Sequence, residues 1–468
     1  MHTRKLTLLE KIGYGSGDAA VNVVISAMFL IISFFYTDIF GLDPKHMGIM
    51  FLLVRFLDAV TDPLMGIITD KVETRFGRYR PWFLWLAIPF GISVFLTFST
   101  PDFDYNLKLV YAYSTYILVT LMFTAVTIPY ISLISVLTEN PQERLSANGY
   151  RLFFAKVAAF AVSIVVPILA ESWGKGDMAR GYQLAMGVMA VAGTLLFLFC
   201  FATTTERVEY HVDKKPFLTQ VGLLLRNDQW MVLGAVCIVG TIGYVLRNSV
   251  AAYYAKYFLG GDAKLISTFL GTGVAAAILA MVASTWITKY YCKIKMFRYT
   301  QLAVFVLSVI MYFAVQPGDV ALALVLYFLI SFIVDLHAPV FWSAIAEAVD
   351  YGHAKTGRRV AGLAFGLISF CQKAGMGIAG FGVGTLLAHY GFVANQEQTP
   401  YALKGIALML CVFPGLFHAG MGGLMFLFKI TDQYYNDLKE GRISGLKTIT
   451  ELKHAEESMP HSDHPESF

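Results

Sequence analysis

Charge is scarce in this sequence. Of its 468 residues, 15% are Asp, Glu, Lys or Arg, where soluble domains carry about a quarter. A large soluble enzyme with an ordinary wetted surface is thereby excluded. Cysteine is sparse as well. Cys200, Cys237, Cys292, Cys371 and Cys411 are odd in number and scattered, a pattern of neither a disulfide framework nor a metal site. The chain has no Gly-rich phosphate loop with a following Lys-Ser/Thr, no CxxC pair and no HExxH. ATP-driven pumping and common hydrolytic chemistry therefore lack their usual residues, and neither enzymatic activity nor a bound metal is expected. Nothing in the charge pattern points to nucleic acid. The opening MHTRKLTLLEKIGYGSGD is polar and basic without an early apolar core, so no cleavable signal peptide is expected.

What the chain has in abundance is apolar length. It is 57% hydrophobic, with a mean hydropathy of +0.60. Apolar runs of about 20 residues recur, long enough to cross a bilayer core. In hydrocarbon each backbone polar group must be satisfied within its own segment, so these runs read as membrane helices. Twelve are expected, near 17–40, 46–69, 82–100, 109–137, 152–171, 182–202, 230–258, 265–288, 299–315, 320–349, 361–388 and 402–428. The N-terminus, the even-numbered loops and the C-terminal tail hold 24 Lys and Arg, and the odd-numbered loops hold six. The positive-inside rule then places both termini in the cytoplasm, in agreement with an even number of spans, which puts both on the same side.

The longest polar connection, 203–229, divides the chain into six-span halves, 1–202 and 230–429, the pattern of a duplicated transporter. The basic turn DKVETRFGRYRP in the first half has a counterpart in KYYCKIKMFR in the second. Residues 430–468 form a polar cytoplasmic tail whose last part is expected to be disordered. Its histidines, His454, His461 and His464, read as solvated side chains.

Charges inside the spans are few and therefore informative, because a cation at bilayer depth costs about 2.5 kcal/mol or more. The densest group is RFLDAVTDPLMG at 55–66. Asp58 and Asp62 are four apart and share a helix face; Arg55 precedes Asp58 by three, and Thr61 stands beside them. Stacked carboxylates in a membrane need a bound cation, a shared proton or an arginine partner. An Arg55–Asp58 pair is the plain structural reading, but two acids against one arginine leave a negative charge over. In the first span GYGSGDAAVN places Asp18 and Asn22 at i and i+4, behind glycines that admit a close neighbour. Arg247, inside the seventh span, could pair with an acid such as Asp18 or meet a substrate carboxylate bidentately. Lys156 and Lys256 read as snorkelling side chains.

The motifs EKIGYGSGDAAVN, FFYTDIFGL, RFLDAVTDPLMG, RFGRYRPW, TIPYISL and W-x4-E-x2-DYG-x2-KTG occur in this order along the chain. Together they resemble the glycoside–pentoside–hexuronide:cation symporters, over about residues 10–430. The resemblance implies an all-α major-facilitator fold in the inner membrane of a bacterium, moving a sugar with a cotransported ion by alternating access. It implies no cofactor beyond cotransported H+ or Na+, and a carrier that works as a monomer. Asp58 and Asp62 become cation-site carboxylates, with Thr124 contributing from the fourth span. Arg151 in GYRLFF becomes the arginine near the sugar, and Lys373 in CQKAG the lysine between ion and sugar. Tyr130, Asp18 and Asn22 join the substrate candidates.

Two positions depart from the family pattern. A third acid used by sodium-coupled melibiose permeases corresponds to Thr127, and their helix-one sugar acid corresponds to Asn22. The first departure weakens sodium and the second an α-galactoside. With Lys373 nearby, two acids and one ammonium leave at most one negative charge, so a proton is favoured, although Thr61, Thr124 and Thr127 offer sodium their oxygens. Arg247 with Arg151 fits an acidic sugar such as a uronide; xylosides and other neutral oligosaccharides stay equally open. Trp342 in the tenth span is a candidate platform for a pyranose face, and Asp335 and His337 candidate cavity residues. Glu347 and Asp350 are expected to form gate ion pairs with Arg358 or Arg359, or with Arg78 and Arg80 across the halves. The alternatives are a sodium-coupled lysolipid-type carrier and a non-transporting sugar sensor on the same scaffold.

Overall fold

Turn chemistry sets where the helices begin. At Gly41, Gly176 and Gly260 the backbone adopts positive φ, a conformation glycine reaches without a Cβ clash. Within two residues of each stands an aspartate, Asp43, Asp177 or Asp262, whose side chain accepts a backbone N–H of the next helix. The first helix starts with a capping box between Thr7 and Glu10.

The computed structural model describes residues 5–138, 141–207, 217–357, 361–440 and 442–443, and the described residues contain helices and no strands. The N-terminal elements are α1 (Leu8–Leu30), α2 (Ile32–Phe34) with a π-helical turn (Phe35–Ile39), α3 (Pro44–Lys71), α4 (Arg80–Thr97), α5 (Tyr105–Leu137), α6 (Pro141–Gly174) and α7 (Met178–Thr203). A short α8 (Phe217–Leu225) precedes α9 (Asp228–Tyr253), which runs into a second π turn (Tyr254–Phe258). There follow α10 (Ala263–Ile287), α11 (Lys293–Ala314), α12 (Val320–Asp335), α13 (Ala338–Thr356), α14 (Ala361–His389), α15 (Pro400–Leu410), α16 (Val412–Leu424) and α17 (Asp432–Lys439). The expected polar tail thus begins with a helix, α17, and its three histidines lie outside the described residues.

Ten helical segments among the described residues are long and apolar enough to cross a membrane, and the α1 to π-turn unit, bent by 54°, makes an eleventh. The long helix α3 differs in kind. Phe56, Val60, Leu64 and Ile68 recur every four residues and are exposed, Phe56 at 67%. Val54, Asp58, Met65 and Thr69 are buried. Its amphipathicity is inverted relative to a soluble helix: the apolar stripe suits lipid and the polar stripe faces protein.

The helices gather into two sets. In the first, α1 packs on α6 and α7, α4 on α5 and α7, and α3 on α5. In the second, α9 packs on α14 and α16, α11 on α12 and α16, and α10 on α12. The sets meet through α3 with α14 and α6 with α10.

Polar bonds between the sets concentrate at the end of the molecule that carries Asp38. The Asp38 carboxylate accepts from Lys256 at 2.9 Å and from the Tyr257 hydroxyl. Lys256 also bonds Asn395 at 2.8 Å, and Thr37 pairs with the Tyr253 hydroxyl at 2.8 Å. At the opposite end, the ion pairs among the described residues stay within one set. Glu10 meets Arg207 and Glu143 meets Lys11 in the first; Lys293 meets Glu347 and Asp432, and Lys355 meets Asp228, in the second.

Candidate coupling and substrate site

The acids of α3 lie opposite its lipid stripe. Asp58 is 1% exposed, and its Oδ2 accepts from Arg55 Nη1 at 2.6 Å. Arg55 Nη2 donates a longer bond, 3.4 Å, to the Tyr116 hydroxyl of α5. The arginine stem fits because α14 offers Gly377 at that point, where any Cβ would overlap it. One turn further on, Asp62 Oδ1 accepts the Thr124 hydroxyl at 2.9 Å. Its Oδ2 is ion-paired with Lys373 Nζ from α14.

Asp58, Asp62, Thr124, Lys373 and Arg55 therefore form one assembly on three helices, α3, α5 and α14, drawn from both sets. Its charges balance, Arg55 and Lys373 against Asp58 and Asp62. The surplus negative charge inferred from the sequence does not exist here, because that count admitted only one cation at a time. Three buried oxygens around the assembly have no hydrogen-bond partner: Asp58 Oδ1, Thr61 Oγ1 and Thr127 Oγ1. Leaving a buried polar atom unpaired costs about 1–3 kcal/mol, and these three lie on the packed helices α3 and α5.

A second polar group lies between α1, α5 and α6. Arg151 Nε is 3.4 Å from Asp18 Oδ2, and its guanidinium lies 5.9 Å from the Tyr130 ring centroid. Tyr130 stacks on Tyr14 at 5.1 Å and donates its hydroxyl to the Tyr14 carbonyl at 2.7 Å. Gly17 makes this possible, since a Cβ there would strike the Tyr130 ring. Asn22 is turned back onto α1, donating to the Asp18 carbonyl at 2.8 Å. Of the partners open to Asp18, Arg151 is the one beside it, and Arg247 lies elsewhere.

Arg247 serves the second set. It is 4% exposed, and donates from Nε to the Leu410 carbonyl at 3.2 Å and from Nη2 to Ser308 at 2.9 Å. Its Nη1 has no partner. Arg247 also lines a cavity between the sets with Lys156, Asp335, Asn248, Tyr244 and Ser26. Lys156 is therefore a cavity residue, a role that linear position along an apolar run conceals. His337 is held in the second set, with its Nδ1 against the Val334 carbonyl and within 3.3 Å of Gln301. Trp342 is 44% exposed and lies parallel to Phe365, with centroids 6.4 Å apart.

Glu347 pairs with Lys293, and Asp350 accepts the Tyr435 hydroxyl at 2.6 Å. The Arg78 and Arg80 amides bind Glu206, both at 2.9 Å, and the Arg80 guanidinium caps the Phe201 carbonyl at 2.7 Å. Arg358 and Arg359 lie outside the described residues. The bonds that do cross between the sets at one end, centred on Asp38 and Lys256, were missed. Their signal was the acid in FFYTDIFGL and the lysine in the last turn of the seventh run.

Comparison with known proteins places this geometry in context. The family model for MFS/sugar transport proteins matches residues 13–432. The inner membrane symporter YicJ of Escherichia coli (strain K12) is 33% identical over 89% of this chain and 90% of its own length. The isoprimeverose transporter of Lactiplantibacillus pentosus is 33% identical over 92% of this chain and 91% of its own. Among solved structures, the nucleoside transporter NupG has the same fold, with a TM-score of 0.62 at 12% identity, covering 91% of this chain and 100% of that one.

Proposed function

Since the chain belongs to the family of MFS/sugar transport proteins, we propose that it is a cation-coupled symporter of a glycoside, pentoside or hexuronide. It is a multi-pass inner-membrane transporter and not an enzyme. In this reading twelve spans form two six-helix bundles, with both termini in the cytoplasm. The Asp38 end then faces outward, and its crossing bonds hold the carrier closed to the outside.

One observation carries the coupling mechanism: Lys373 reaches from α14 to Asp62 on α3. That pair is both a charge balance and a bond between the two bundles. A cation arriving at Asp62 competes with Lys373, because one carboxylate oxygen cannot neutralise two cations in a low-dielectric site. Occupation weakens the tie between α3 and α14, while the released ammonium turns toward the substrate space. Asp58 stays bonded to Arg55 in this reading, which leaves Asp62 as the carboxylate that exchanges the ion. Substrate is bound between the bundles by Asp18, Arg151 and the cavity residues, and alternating access follows from rocking about that site.

A proton is the favoured ion, since it needs one carboxylate oxygen and no ligand cage. Sodium is the second reading, favoured by the three unpartnered oxygens of Asp58, Thr61 and Thr127, an arrangement that suits a hard cation. Uptake into proteoliposomes under an inward pH gradient, and separately under an inward sodium gradient, decides between them. Accumulation driven by the pH gradient alone is expected. Uptake indifferent to both gradients contradicts symport.

A further inference from the structure

The cavity between the sets contains charges that the coupling mechanism does not use. Lys156 comes from α6, Arg247 from α9 and Asp335 from α12. They are the cationic and anionic side chains among its lining residues, which otherwise include Asn248, Tyr244 and Ser26. Lys156 and Asp335 make no direct ion pair among the described residues, although Asp335 acts on the charge of Arg247, and Arg247 Nη1 is buried without a hydrogen-bond partner among them. Asp335 and Arg247 are 8% and 4% exposed, and Lys156 is half-buried.

Buried charge without a partner is costly, and proteins keep it mainly where a ligand supplies the missing partner. Two cations and one carboxylate leave the cavity one positive charge in excess. Arginine does not relieve that excess by losing its proton. A neutral sugar would leave it in place as well. A ligand with a single negative charge removes it. The donors also have the right character for a carboxylate: a planar guanidinium edge with one free amino group, and a mobile ammonium. Asp335 supplies the opposite function, since a carboxylate accepts hydrogen bonds from sugar hydroxyls. The cavity itself is small, about 60 Å3. That is room for a few water-sized groups, so it takes one substituent of a saccharide and not a whole ring.

We infer that Lys156, Arg247 and Asp335 form an acid-group subsite, which seats the single carboxylate of a monoanionic saccharide on Lys156 and Arg247 Nη1 with neighbouring hydroxyls on Asp335. The inference rests on the sugar-symport reading and narrows its substrate to acidic saccharides. It also assigns the ligand a mechanical role. The carboxylate joins α6 of the first set to α9 of the second, so binding draws the two sets together around the substrate.

The test is ligand stabilisation of the full-length carrier, purified in detergent, with methyl β-D-glucuronide and methyl β-D-glucoside. These probes differ only in bearing a carboxylate or a hydroxymethyl group. The glucuronide should bind about tenfold to a hundredfold more tightly, the value of a hydrogen bond to a charged group. Lys156→Gln should abolish that preference, and Lys156→Arg should restore most of it. The thermal midpoint of each variant without sugar reports its folding, and Lys156→Met provides a second uncharged variant should Lys156→Gln fold poorly. Equal binding of the two probes overturns the subsite and leaves sugar symport standing, as does a preference that survives both uncharged variants. No stabilisation by either probe, or by a panel of neutral and acidic disaccharides, overturns both.

Discussion

At the contact of α3 with α14 Arg55, Asp58, Asp62 and Lys373 are in direct ion pairs, whereas in the cavity between the sets Lys156 and Asp335 make no direct ion pair among the described residues. Arg55 holds Asp58 at 2.6 Å and Lys373 holds Asp62; a few helices away, Lys156, Arg247 and Asp335 line a small space without a direct ion pair among the described residues. Paired charges are stable in the empty carrier and must be parted by something that competes, which is the task of a coupling ion. Unpaired charges wait for a partner from outside, which is the task of a substrate.

Breaking a pair on α3 should have the largest effect. Arg55→Met strands Asp58 at 1% exposure, and removing one partner of a buried pair costs about 3–5 kcal/mol. Thermal unfolding of the purified variant should occur well below that of the parent, and Arg55→Met with Asp58→Leu should recover most of the loss. Equal midpoints for the parent and the single variant would show that Arg55 is not the balancing charge.

The crossing bonds at the Asp38 end come next. Lys256, Tyr257 and Asn395 all converge on Asp38, so Asp38→Asn should loosen the closure there without disturbing either charged site. A single cysteine placed at Ile39 in a background without native cysteines should then react about tenfold faster with a membrane-impermeant maleimide, equivalent to roughly 1.4 kcal/mol of lost closure. Unchanged labelling removes the gate.

Thr127→Ala should have the smallest effect, because its hydroxyl is buried without a partner. A proton-coupled carrier should keep pH-driven uptake within about twofold of the parent, the scale of an ordinary neutral substitution. A loss of tenfold or more would instead identify the hydroxyl as a ligand and favour sodium.

Much of this arrangement was legible in the sequence, for reasons visible residue by residue. The apolar runs had to become helices, and the spacing of Asp58 and Asp62 had to put both acids on one face. The pairing was not legible. Nothing in a linear pattern says that Arg151 rather than Arg247 lies beside Asp18, because the answer depends on α6 packing against α1. The place of Lys156 at the cavity was hidden for a related reason: its position along an apolar run resembles that of a snorkelling lysine, and the cavity is formed only where α6 meets residues of α9, α10 and α12. Glu347 found Lys293 within its own set, where an acid near a basic turn had several candidate partners. Lys256 and Asp38 are far apart in the chain and became neighbours only when the two sets closed at that end.

The coupling role of Asp62 is the centre of the account, and accumulation by Asp62→Asn in proteoliposomes tests it most directly. With sugar supplied outside under an inward pH gradient, the parent should concentrate it inside. Asp62→Asn, folded by its thermal midpoint, should not raise the internal concentration above the external one. A folded Asp62→Asn carrier that accumulates sugar as steeply as the parent would contradict the account.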